Sequence, residues 1–109
     1  MSRQSQRLAR KARAEIARAR AICADEFEPL WKPAAWVGPR AADALERADR
    51  QAAAKRAAFA WLGHQLGMPA LESFDAIDDL ALLRRAWGLI WNATLLDVRR
   101  WQDALEAAA

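Results

Sequence analysis

The side chains with the widest chemical range in this 109-residue chain are its single cysteine, Cys23, and its single histidine, His64. Nucleophilic catalysis asks for a Ser, Cys or Thr held beside a base. Cys23 instead falls in a run of apolar residues at helical spacing, where a small thiol behaves as a core residue. His64 follows Gly63 on the side of its helix away from Leu62 and Leu66, the position of an exposed histidine. A structural zinc site takes four Cys or His ligands, which these two residues cannot supply. The carboxylates Asp75, Asp78 and Asp79 lack the glycine-centred loop of a calcium site and suit the positive end of a helix. Only four glycines are present, and none forms a phosphate-cradling loop. The chain is therefore read as non-enzymatic, with no cofactor and no metal.

What remains is charge and aromatic surface. Arg3, Arg7, Arg10, Lys11, Arg13, Arg18 and Arg20 stand against Glu15 alone, a net of +6 over residues 1–20, while the other 89 residues carry ten basic and thirteen acidic groups, a net of −3. A helix bearing such a series can follow phosphates and release their counterions. The same series equally suits a solvated helix face. Residues 58–79 imitate a helix-turn-helix, but the second helix would bring Glu72, Asp75, Asp78 and Asp79 towards phosphates with no base beside them, so sequence-specific reading is rejected. Six tryptophans without a tyrosine must build much of the core. Trp36 and Trp101 are expected to be the exposed ones and to serve, with the seven basic residues, as partner- or nucleic-acid-binding residues.

The elements that must position these groups are helical. Of 59 apolar residues, 28 are alanine, the best helix former, and Val, Ile and Thr total only seven. The fold class expected is all-α, a small bundle of three to four helices in one domain spanning 1–109. A long basic helix over about 3–28 carries the apolar stripe Leu8, Ala12, Ile16, Ala19, Cys23 and Phe27, and ends before Pro29. A Pro/Trp loop over 29–39 either caps the core or presents an aromatic contact. A second helix over about 40–66 sets Leu45, Ala48, Ala52, Phe59, Leu62 and Leu66 on one side and stops at Gly67. Ser73 or Asp75 caps a last helical stretch over about 76–107, with Asp78 and Asp79 in its first turn. There Ile77, Leu80, Leu83, Trp87, Trp91, Thr94, Val98, Trp101 and Leu105 follow one stripe. Thr94 to Asp97 reads as a capping box, leaving open a break near Asn92. No apolar run approaches the length of a membrane span and no hydrophobic stretch follows the charged amino terminus, so a cytoplasmic protein without membrane contact is expected.

The order of segments resembles the helical part of a family of small uncharacterised proteins of phages, prophages and plasmids. In that family a zinc ribbon precedes a basic helix, then FDPLWK, AYAWLA followed by LGI, and FD with a downstream RR pair. The matching stretches are Phe27 to Lys32 (FEPLWK), Ala58 to Met68 (AFAWLGHQLGM), Phe74-Asp75 and Arg84-Arg85. The zinc ribbon has no counterpart here, nor has the His-Ile-Gly that commonly precedes FD. The resemblance implies a mobile genetic element as context and no particular reaction. The expected function is stoichiometric binding of a host protein or nucleoprotein complex, with an anti-defence inhibitor of a CRISPR effector as one form it could take. The alternatives are a non-specific nucleic-acid-binding accessory protein using the basic helix, and a homo-oligomeric structural module.

Overall fold

A computed structural model describes residues 2–38 and 42–109 of the chain. Among the described residues there are four α-helices and no strand: α1 (Arg3–Phe27), α2 (Ala44–Leu66), α3 (Leu80–Trp91) and α4 (Leu95–Ala108). The all-α bundle with a long basic N-terminal helix that the composition implies is the fold. Its outline is elongated, 61 × 33 × 21 Å, and the reason lies in α1. Ser2 starts that helix by accepting the backbone N–H of Ser5 through its side chain. The stripe expected along α1 is used only in its second half. Ile16 and Ala19 pack on the core and Cys23 and Phe27 are buried in it, whereas Leu8 is 59% exposed and Ala12 is exposed. Residues 3–15, about 20 Å of helix at 1.5 Å per residue, overhang the bundle.

After α1 the prolines set two short 3₁₀ helices, Glu28–Leu30 and Lys32–Trp36. The connection folds back as a cap: Leu30, Ala34 and Ala35 are buried, and Trp31 is half-buried beneath the Lys55 ammonium, 4.8 Å from its ring centre. The expected start of the second helix at Arg40 and the loop end at Pro39 lie outside the described residues. The helix runs from Ala44, with Asp43 accepting the Glu46 N–H at 2.8 Å. Its expected stripe is again half used. Phe59, Leu62 and Leu66 are buried, but Leu45 is 72% exposed and Ala48 and Ala52 face solvent, because only the second half of α2 reaches the core. The helix stops at Gly67, whose φ of 71° is the left-handed conformation glycine adopts without strain. Met68 then donates to the Gly63 carbonyl at 2.7 Å, turning the chain so tightly that Gly63 has no room for a side chain.

The last stretch departs most from expectation. It does not begin at Ala76. Ser73 caps only a 3₁₀ turn, Phe74–Ala76, and Asp79 is the N-cap of α3 rather than a first-turn residue, accepting from the Ala81 N–H at 2.8 Å. The helix breaks after Trp91, where the capping box starts α4: Thr94 Oγ1 accepts from the Asp97 N–H and Asp97 Oδ2 accepts from the Thr94 N–H. One stripe through Trp87, Trp91, Thr94 and Leu105 therefore does not exist. The core face of α3 is Leu83, Ala86 and Ile90, and that of α4 is Val98. Three rings, Phe27, Phe59 and Phe74, meet at the centre with centroids 4.5 to 5.3 Å apart, joining α1, α2 and the 3₁₀ turn.

Candidate nucleic-acid interface

The overhang decides where the basic side chains sit. Arg3, Arg7, Arg10, Lys11, Arg13 and Arg18 are all exposed. None of the six enters an ion pair or side-chain hydrogen bond among the described residues. At about 100° per residue, Arg3, Arg7, Arg10, Lys11 and Arg18 fall within one half of the helix surface, with Arg13 at its edge. Residues 1–14 contain no acid, so the field of this arm is undiluted until Glu15.

Arg20 behaves differently from the other six and corrects the expected set. Its Nε donates to the Ile77 carbonyl at 3.0 Å and its Nη2 to the Asp75 carbonyl at 3.3 Å, while the Asp78 carboxylate closes an ion pair. The guanidinium ties the 75–78 segment to α1, since the carbonyls there are left free by a 3₁₀ turn and need a donor. Arg20 is thus committed to the fold.

Of the two tryptophans expected outside, Trp36 is 76% exposed, with the Arg47 guanidinium 4.9 Å from its ring centre. Trp101 is not free: α4 lies on α2, and the indole is half-buried with its ring 5.6 Å from His64. Its place is taken by two residues that the helical spacing set on the apolar stripe of the last stretch, a stripe suited to a bundle centre or to self-association. Trp87 is 40% and Trp91 64% exposed, and their rings stack with centroids 5.5 Å apart. Their spacing held the signal. Leu83, Ala86 and Ile90 define the core face, and Trp87 and Trp91 are turned roughly 90° from it.

Cys23 is buried, with Sγ 3.5 Å from the Leu83 carbonyl, and burial pushes its thiol up from the ordinary value of 9.0. Such a thiol is a poor nucleophile. His64 is exposed near the end of α2, with its ring beside that of Trp101. Among the described residues no three or more His, Cys, Asp or Glu side chains gather as a metal site, and no helix is long and apolar enough to cross a membrane. What the surface offers is a free cationic arm on one side and a bare aromatic pair on α3. No protein-family profile, curated protein or solved structure matches the chain.

Proposed function

We propose that this chain is a non-enzymatic binding protein that engages a host nucleoprotein complex stoichiometrically in the cytoplasm, gripping its phosphate backbone with the N-terminal arm. The observation that carries the reading is the state of the arm. Six basic side chains between Arg3 and Arg18 are exposed and unpaired among the described residues, and none of the described residues before Ile16 packs on the core. A helix held out in this way contributes little to folding, whereas it suits a polyanion well: each phosphate neutralised releases condensed counterions. A small protein seated on the nucleic-acid path of a defence complex blocks it without chemistry, and that inhibitory form suits the mobile-element setting that FEPLWK and AFAWLGHQLGM suggest.

Fluorescence anisotropy with a labelled duplex and a labelled single strand at low salt tests the reading. Binding is expected, and the triple substitution Arg3→Ala, Arg7→Ala, Arg10→Ala is expected to weaken it strongly. No change in anisotropy at low salt, or binding that survives the triple substitution intact, would overturn the role of the arm. Self-association is the second reading, favoured by Leu96 and Leu105 standing half-exposed or more on α4. Light scattering over a concentration series separates the two.

A further inference from the structure

Trp87 and Trp91 lie one turn apart on α3 with most of Trp91 in water and their planes only 27° from parallel. Two other indoles that reach the surface are covered by a cation: Lys55 lies over Trp31 and Arg47 over Trp36. No cation covers Trp87 or Trp91 among the described residues. Because the two rings stack on each other, much of their rotamer freedom is already spent, and a flat surface stands ready for a ligand.

The surroundings say which ligand. α3 contains Arg84 and Arg85 and no acid. Arg84, three residues before Trp87 and seven before Trp91, shares their sector of the helix, is exposed, and has no ion pair among the described residues. The acids just ahead of the helix are engaged, Asp78 with Arg20 and Asp79 as N-cap. Gly88 completes the arrangement. Residues three and four apart are neighbours on a helix surface, so Gly88 lies between Arg84 and Arg85 on one side and Trp91 on the other. A Cβ placed on it would meet nothing within 4 Å. Arg85 is spent on the Gln65 carbonyl, to which its Nη2 donates at 3.1 Å, and Asp97, which lines the same hollow as Gly88, is held in the α4 capping box. The face is therefore an aromatic plate and an open notch with the Arg84 guanidinium at the rim, which complements a π-face carrying a phosphate better than an apolar protein surface.

We infer that α3 binds the unpaired bases of a single-stranded nucleic acid, one base stacking on Trp91 above the Gly88 notch while Arg84 meets an adjoining phosphate. The inference rests on the proposed reading of the arm and names its ligand: a strand whose bases are free to stack, since bases paired within a duplex cannot reach the plate.

The test uses the intact chain, with oligo-dT, oligo-U and a duplex of similar length as probes, read by anisotropy and by quenching of tryptophan fluorescence. Tighter binding of either single strand than of the duplex, with quenching, is expected. Trp91→Ala should weaken single-strand binding about tenfold, Trp91→Phe should keep most of it, and Gly88→Leu should weaken it by filling the notch. Duplex binding should stay unchanged in all three. Should Trp91→Ala and Gly88→Leu leave single-strand affinity intact while the triple arm substitution abolishes it, the stacking site is wrong and the arm stands. Absence of binding to every probe at low salt removes the arm as well. If Trp91→Ala instead abolishes a concentration-dependent dimer in light scattering without changing affinity for any probe, the plate is covered by a second copy and the inference fails.

Discussion

Gly63 shows how much can rest on one missing methyl group. A Cβ at this position would lie 2.3 Å from the Met68 carbonyl oxygen, a backbone atom with no freedom to retreat, because the Met68 N–H is itself bound to the Gly63 carbonyl. Gly63→Ala is expected to destabilise the fold by about 1–3 kcal/mol, seen as a lower urea midpoint, while Gly88→Ala, in open space within a helix, should raise the midpoint, stabilising the fold by up to about 1 kcal/mol. Cys23 gives a pH dependence of definite sign. Burial raises its pKa above the ordinary 9.0, so the neutral thiol is the form that suits the fold. Its contribution is whole below 9.0 and is lost as the pH rises through the raised folded value. The urea midpoint should fall on that alkaline side more steeply than in Cys23→Ala, and equal slopes for the two proteins would refute the assignment. These residues also mark what the sequence could reveal. The burial of Cys23, the exposure of His64 and the stop at Gly67 followed from local spacing. The role of Arg20 did not, because its partners Ile77 and Asp78 lie more than fifty residues away and nothing local announces them.

Helical periodicity reports the face an element would bury, not whether a neighbour is there to bury it. This accounts for the two halves of α1, in which Leu8, Ala12, Ile16, Ala19, Cys23 and Phe27 form one continuous stripe but only the last four meet the core. The same holds for Leu45 in α2. Where capping chemistry was local it was legible, as with Thr94 and Asp97, whereas the start of α3 was misplaced because Ser73, Asp75 and Asp79 are all competent caps and tertiary contacts chose the last. The segments of the family resemblance prove to be packing segments: Phe27 and Leu30, then Ala58, Phe59, Trp61 and Leu62, then Phe74, are all buried. They speak for the architecture, and of the exposed groups to which binding is assigned only Arg84 lies within them. A truncation follows from the overhang. Removing residues 2–13 discards five bases and no buried side chain. The shortened chain should keep its far-ultraviolet helical signal apart from the lost turns, unfold within about 0.5 kcal/mol of the parent, and lose affinity for nucleic acid. A large fall in stability would mean that the arm packs on the body after all.

At the scale of the whole molecule the charges are segregated, with a net of +6 on residues 1–20 and −3 on the rest. A body of this sign repels phosphates, so an approaching strand is oriented arm first. The salt dependence of binding then counts the contacts. From Arg3 to Arg18 is about 22 Å of helix, and a straight rod can lie along only part of a strand that curves away from it. Four phosphate contacts, Arg84 included, give a slope of log affinity on log salt of about −3 for a single strand, at roughly 0.7 per contact. Arg7→Ala or Arg10→Ala should each reduce that slope by about 0.7. Arg20→Ala should leave the slope unchanged and lower stability instead, because its guanidinium is spent on Ile77, Asp75 and Asp78. This contrast separates a phosphate-binding arm from a merely basic one. Were net charge alone responsible, Arg20 would change the slope as much as Arg10, and the geometry that distinguishes them would have no bearing on function.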